Sequence, residues 1–448
     1  MSATISVSQS VPVYKSVDVF VAGGGPAGMA AAITARRQGR SVFLAEAQSC
    51  FGGMGTAGLV CVQMCFGDGE HFWGGFGQEI FEALYARNAT PDPLSDHIRH
   101  QWLHTFRPEG LKTIYDDLMV DAGVDFTFNT TVTSILSQNG HITHCICWGK
   151  GGFFAVEAKV FVDCTGDADL AAWAGAPYLK GDEQGQMMPG TLCTQWSGID
   201  WQVAFPGESN KAQELLPQAI QDGVFTTPDY HLPGIFRNGP EHGFGNLVHE
   251  FGVDGTDPHS VTRALLHGRK YQAEYETFYK TYTRGFEKMI LVATGSMLGI
   301  RETRRILGDY TLCLEDFKNR AVFADEIGRY AYSVDLHAAT ADEDAFKMMW
   351  RDFTEFKYGK GDSYGIPYRA LLPQHVDNLL VAGRCISTDR CMLASVRVMT
   401  GCYITGQAAG MAAAIAAEQG LTTRQVPIAK LQQKLGEAGV YLPHAVIS

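Results

Sequence analysis

The 448-residue chain has no apolar run long enough to cross a bilayer; Met411 to Ala417 reads as part of an Ala-rich core helix. Positive charge is scarce: 36 lysines and arginines against 48 acids leave a formal charge of −12. That balance argues against nucleic acid as a partner, because phosphate neutralisation needs a basic surface. No basic amphipathic stretch suggests a membrane surface, and Met1 to Lys15 lacks a charged-then-apolar leader pattern. The eleven cysteines are odd in number and scattered, which suits free thiols in a reducing compartment and predicts a cytoplasmic protein. Cys61 and Cys65, and Cys145 and Cys147, are the close pairs. Neither has the second half of a zinc site or the run of an iron–sulfur cluster, so core thiols are expected, with a redox-active Cys61/Cys65 pair as the alternative. His97, His100 and His104 lie in one Pro-bounded stretch but match no metal spacing, and no metal is expected. Internal repeats and low-complexity segments are absent.

What is present is concentrated in the first fifty residues. An apolar strand, Val17 to Val21, runs into Gly23-x-Gly25-x-x-Gly28, followed by a small-residue helix from Met29 to Gln38 and a second strand from Ser41 to Leu44 that ends near Glu46. Gly23 makes a tight turn, Gly25 allows backbone to approach a pyrophosphate, and Gly28 lets helix and strand pack closely. Pro26 and Ala27 open the helix, whose first-turn N–H groups and positive dipole end suit phosphate. Glu46 is placed to accept hydrogen bonds from a ribose diol, with Ala47 beside it. The order of parts predicts a dinucleotide site. Phe51 to Thr56, carrying Gly52, Gly53 and Met54, is expected to lie over the bound cofactor.

Further along, helices are expected at Phe76 to Arg87 and Glu109 to Ala122, then a strand at Val124 to Phe128. Thr131 to Leu136, His141 to Trp148 and Phe153 to Ala158 read as a three-stranded meander around an Asn139-Gly140 turn. A separate buried parallel strand, Val160 to Asp163, is expected next, opening into Cys164-Thr165-Gly166-Asp167. From Leu179 to Tyr368 no βαβ unit recurs. The predicted fold class is α/β: a Rossmann-like cofactor domain with an inserted β-meander, made of residues 14–178 and 369–448, and a mixed α+β substrate-covering domain of residues 179–368. In the latter, one long helix is expected from Pro258 to Thr281, continuing after a break towards Leu291. A returning strand ends at Gly383 and Arg384, and a helix follows from about Thr400 to Glu418, with Val398 just before it.

The Gly23 to Glu46 unit, Asp163-x-Thr165-Gly166-Asp167-Ala168-Asp169-Leu170 and the Asn378 to Gly410 segment together resemble the glutathione-reductase-type FAD fold. Gly299-Ile300-Arg301-Glu302-Thr303-Arg304-Arg305-Ile306-Leu307-Gly308, Asp335-Leu336-His337 and Ile366-Pro367-Tyr368-Arg369 resemble the signature of one FAD-dependent oxidoreductase family. That family is similar to the flavoprotein subunits of fumarate reductase and heterodisulfide reductase. The resemblance spans roughly Asp18 to Leu442 and implies FAD as cofactor. It implies that Gly23, Gly25 and Gly28 hold pyrophosphate, Glu46 the ribose, and Val132 the adenine through its backbone. Thr165, Gly166 and Asp167 would lie near the phosphates, and Gly383 and Arg384 beside the ribityl chain. The helix near Val398 and Thr400 would point its N-terminus at the flavin, stabilising charge on the reduced ring.

These expectations converge on hydride transfer between a small polar metabolite and flavin N5, by a dehydrogenase, oxidase or desaturase. The alternatives are an electron-transfer subunit serving an iron–sulfur partner and a flavin-binding regulator without turnover; a homo-oligomer is compatible with the first. No second nucleotide fingerprint supports a nicotinamide-using monooxygenase. Asp335 and His337 are the expected proton-accepting pair, because alternation along Ser333 to His337 puts both on one side of an extended segment and histidine titrates near neutrality. Tyr364 and Tyr368 are the rivals. Arg301 and Arg305, read as one helical face, are expected either to grip a substrate oxyanion or to form an ion-pair knot. His71 is a conceivable flavin tether.

Overall fold

The computed structural model describes residues 5, 7–64, 74–99, 101, 103–204 and 208–445. Cys65, His71 and His100 lie outside them. The chain begins with β1 (Val13–Ala22), α1 (Pro26–Arg37) and β2 (Val42–Ala45). After α2 (Pro108–Ala122) come β3 (Asp125–Thr127), β4 (Thr131–Gln138), β5 (His141–Gly149) and β6 (Gly152–Asp163). These strands form one sheet in the order β3-β2-β1-β6-β5-β4. The β3-β2-β1-β6 core is parallel, and β5 and β4 run on antiparallel. The turn between β4 and β5 has Asn139 at φ +52° and Gly140 at φ +78°, the left-handed pair that an Asn-Gly hairpin requires.

One expectation for this sheet is corrected. The meander's third strand and the buried parallel strand are a single element, β6. Its first half bonds to β5 and its second half to the returning strand Leu379–Val381, while β1 runs along the other side of both. Ala158-Lys159-Val160 contains no turn residue, so nothing breaks the extended backbone between the two halves.

Residues 190–294 build two antiparallel sheets: β7 (Gly190–Thr191) pairs with β11 (His249–Glu250), and β8 (Thr194–Ser197), β9 (Gly234–Arg237), β10 (His242–Asn246) and β12 (Ile290–Thr294) form a four-stranded sheet. The long helix α3 (Pro258–Tyr282) starts at Asp257, whose carboxylate caps the His259 and Ser260 N–H groups. Its expected continuation to Leu291 is corrected: Ile290–Thr294 is an edge strand paired with β8. β-branched Ile290, Val292 and Thr294 favour that state. The helix α4 (Glu343–Glu355) was not anticipated; none of its residues is buried.

The core is dominated by α1 against α5 (Met399–Gln419), which is buried along nearly its whole length. A methyl on Gly406 would lie 2.2 Å from the Ala27 carbonyl oxygen, and one on Gly410 would lie 2.2 Å from that of Ala31. The α5 glycines therefore serve close helix–helix contact.

Candidate active site

Between β1 and α1 the chain turns at Gly23, with φ +92°. A Cβ on Gly28 would sit 1.8 Å from the Gly23 carbonyl oxygen, whereas one on Gly25 would meet nothing within 4 Å. The loop is thus crowded on its protein side and open at Gly25. Pro26 occupies the first helical position, so the first-turn amides of Ala27 and Gly28 are left facing that opening. The Glu46 carboxylate is buried and accepts from Gly24 N–H at 2.5 Å and Gln48 N–H at 2.6 Å. Burial raises its pKa, and the amides of Gln48, Gly24 and Ala47 oppose the rise. Each carboxylate oxygen keeps acceptor capacity for a further donor.

Gly52 donates to the Gly24 carbonyl at 2.8 Å, and a Cβ on Gly53 would lie 3.2 Å from Gly25 Cα. On its other side the same loop reaches α5: a Cβ on Gly55 would lie 2.7 Å from Met399 Sδ. Gly52-Gly53-Met54-Gly55 therefore bridges the N-terminus of α1 and that of α5, whose N-cap is Val398. The Thr400 hydroxyl donates to Met64 O at 2.8 Å. Thr130 N–H donates to Glu46 O at 2.9 Å, which brings the chain just before β4 against Glu46, with Val132 two residues on.

Thr165 is held on the buried Asp163 carboxylate at 2.7 Å; burial, with Asp169 nearby, pushes Asp163 up to about 6. Arg384 donates to Gly166 O at 2.9 Å, to Asp167 at 2.7 Å and to Ile300 O. Its guanidinium thus pins three segments together, and Gly383 beside it donates to Thr405 Oγ1 at 3.0 Å.

A second polar centre lies in the 179–368 region. Thr191 in β7 pairs with His249 in β11 and bridges to Gly299. This strand delivers Arg301, which donates to Pro189 O at 2.9 Å and to Thr191 Oγ1 at 2.5 Å. Burial, with Arg397 nearby, lowers Arg301 to about 10. Asp229 accepts from His231 N–H at 3.0 Å through one oxygen and binds His249 Nδ1 at 2.7 Å through the other. His337 Nε2 is 3.4 Å from Asp335 Oδ1, and Arg397 donates to Asp335 O at 3.1 Å and Oδ2 at 3.3 Å. Val334 is buried and Leu336 packs on the core, so the expected alternation is present. The ring of His231 lies 4.9 Å from each of His249 and His337, centroid to centroid.

A model of the FAD-dependent oxidoreductase family matches residues 18–435. This chain belongs to that family. No curated protein matches it. Among solved structures, a geranylgeranyl bacteriochlorophyll reductase-like protein from Thermoplasma acidophilum is similar at 11% identity and TM-score 0.46, over 94% of this chain and 83% of that one. The p-nitrophenol 4-monooxygenase PnpA from Pseudomonas putida is similar at 10% identity and TM-score 0.45, over 92% and 82%.

The cofactor of this oxidoreductase is FAD, and the cradle fits it. Gly25 opens onto space where a Cβ would meet no protein atom, at the start of α1, and the buried Glu46 carboxylate stands beside the same loop. Bound FAD supplies a two-electron acceptor. Of the expected catalytic residues, the structure brings Asp335, His337 and Arg301 to one centre. Arg305 and Tyr364 are corrections. Residues 299–303 are not helical and 304–306 form a strand, so Arg301 and Arg305 do not share a helical face. Arg305 turns to the fully buried Glu302 and to Gly181 O at 3.0 Å, and Arg390 joins Glu302 at 3.0 Å. The ion-pair knot thus belongs to Arg305, and Arg301 lies apart from it, bonded to Pro189 O and Thr191 Oγ1. The Tyr364 hydroxyl is buried against Ser395 Oγ at 2.9 Å, and that of Tyr368 against Thr423 O at 2.8 Å. Burial raises both phenols, leaving neither placed to exchange a proton with a ligand. Burial and Arg301 also push His337 well below its usual value, so the expected titration near neutrality is corrected downward.

Asp229, His231, His249 and Arg397 were not anticipated. No local spacing connects His249 or Arg397 to the others; the Asp-x-His form of Asp229-Tyr230-His231, matching Asp335-Leu336-His337, was the available signal.

Proposed function

We propose that this enzyme transfers a hydride between a small oxyanion-bearing metabolite and flavin N5, with the substrate held at the Arg301–His337 centre. Residues 14–178 and 369–448 are assigned to FAD and residues 179–368 to covering the substrate. The observation that carries the reading is Arg397: it directly precedes the N-cap of α5 and grips Asp335, tying the polar centre to the helix end assigned to the flavin. Arg301 supplies a buried positive charge for a carboxylate or similar group. The proton that leaves with the hydride passes to the imidazole face, where His337 is held in register by Asp335. Burial, with His249 adjacent, lowers His231 to about 3, and burial with Arg301 lowers His337 likewise, so both rings are weak bases until a substrate oxyanion offsets the Arg301 charge that lowers them.

The test is anaerobic mixing of the flavin-loaded enzyme with a panel of hydroxy acids, amino acids and their uncharged analogues. Bleaching of the flavin by an acid but not by its amide or ester is the expected result. Failure of every member to reduce a fully loaded enzyme would contradict the reading.

A further inference from the structure

We infer that His231, His249 and His337 form a binding site for a divalent transition-metal ion. One ring nitrogen from each lies within 4.8 Å of the other two. His249 and His337 are 3% and 5% exposed, and each has one buried nitrogen without a partner: Nε2 of His249 and Nδ1 of His337. The opposite nitrogen of each ring faces a carboxylate, Asp229 Oδ2 at 2.7 Å and Asp335 Oδ1 at 3.4 Å. This is how metal-ligating histidines are held: an outer carboxylate fixes the tautomer and turns the free nitrogen to the ion. Asp229 also binds the His231 backbone N–H at 3.0 Å, so one carboxylate positions two of the three rings. An imidazole nitrogen buried without a partner is costly, and a cation would satisfy His249 and His337 together.

The donor set selects the ion. Three imidazoles without a thiolate suit Zn²⁺, Fe²⁺, Co²⁺ or Ni²⁺, and disfavour Mg²⁺ and Ca²⁺, which prefer oxygen ligands. Metal–nitrogen bonds of about 2.1 Å require the rings to close by about 1 Å. Three protein ligands leave a coordination position open towards the cleft lined by Pro189, Phe251 and Phe346, as in catalytic rather than structural sites. Two carboxylates, Asp229 and Asp335, face two guanidiniums, Arg301 and Arg397, so no excess positive charge repels the ion. The inference does not depend on the hydride reading. It changes one part of it: with the ion bound, His337 Nδ1 is a ligand, and acidification of the substrate oxygen passes to the cation.

The test is a titration of the flavin-loaded, chelator-stripped protein with Zn²⁺ alone, followed calorimetrically, with metal retained after dialysis measured by elemental analysis. One equivalent per chain is expected, with affinity reduced at least about a hundredfold in His249→Gln and about 10–100-fold in Asp229→Asn. Flavin content and thermal melting establish that each variant is folded. Should His249→Gln fail that control, Asp229→Asn, which keeps all three ligands, carries the comparison. Wild-type protein that takes up no stoichiometric metal, or uptake unchanged in a folded variant, would overturn the site. Flavin bleaching by substrate reports on the hydride reading separately.

Discussion

The dinucleotide cradle takes Gly23 to Glu46 from one continuous stretch, whereas the imidazole centre gathers Asp229 and His231, His249, Arg301, Asp335 and His337, and Arg397 from five places in the chain. In the cradle, chemistry is carried by backbone: amides at a helix end, glycines whose missing side chains leave room, and one carboxylate. At the centre it is carried by side chains whose backbones belong to unrelated elements. A backbone site must be encoded locally, because its shape is the shape of a turn. A side-chain site needs only that the fold deliver its parts, so spacing along the chain reveals little of it.

The largest expected effects separate the two uses of glycine within the cradle. Gly25→Val should leave the unliganded protein folded, because its side chain enters open space, yet lower FAD affinity at least about a hundredfold by displacing phosphate from charge-assisted hydrogen bonds. Gly28→Ala should instead abolish soluble expression, since its methyl overlaps the Gly23 carbonyl. Flavin absorbance per chain and melting of the unliganded protein distinguish the two. Equal behaviour would mean that the opening at Gly25 is not where phosphate sits.

At the other end, His337→Gln should slow anaerobic flavin reduction by about 10²–10⁴-fold with flavin content unchanged. A full rate would remove His337 from the chemistry. Arg301 and Arg305 sharpen the comparison further. Arg301→Lys should raise KM about tenfold, the loss of about 1.5 kcal/mol from a charged hydrogen bond, with a smaller stability loss than Arg305→Ala because lysine keeps the buried charge. Arg305→Ala should cost about 3–5 kcal/mol of stability by leaving Glu302 buried with one partner fewer, with no selective change in KM. Urea unfolding and steady-state kinetics read the two effects.

The cradle also carries a pH dependence. Asp163 stands at about 6 in the fold against about 3.9 in an unfolded chain, so the folded state binds the extra proton between those values. Stability should fall as pH rises from 4 to 6, by about 1.4 kcal/mol per unit at most from this group. Asp163→Asn should flatten that slope in melts taken across the range, and an unchanged slope would refute the assignment.

Much of the fold was legible because local rules and tertiary context agree there. The alternation from Ser333 to His337, the Asn139-Gly140 turn and the glycine-spaced α5 all report their own environment. The continuity of β6 was not legible, because Lys159 resembles a boundary while its backbone remains in the sheet. Leu291 was read into a helix because apolar periodicity in a short run does not distinguish helix from strand. The decapeptide around Arg301 was read as helical from spacing alone, whereas its bridge from Gly299 to Thr191 holds it extended. The histidines that the sequence set side by side, His97 and His104, do not meet as a cluster among the described residues: His104 bonds Tyr85 at 2.7 Å and Gln101 O at 2.9 Å. The three that do meet are separated by up to about a hundred residues, a separation bridged by long-range pairings such as β7 with β11.

The central claim is that cradle and imidazole centre are two ends of one site, joined where Arg397 meets the start of α5. A crystal structure of the FAD-loaded protein tests it most directly. The account predicts the isoalloxazine ring at the N-terminus of α5, over Gly53 to Gly55, with one face open to His337 and Arg301. A ring bound away from Met399, or screened from His337 by intervening protein, would contradict it.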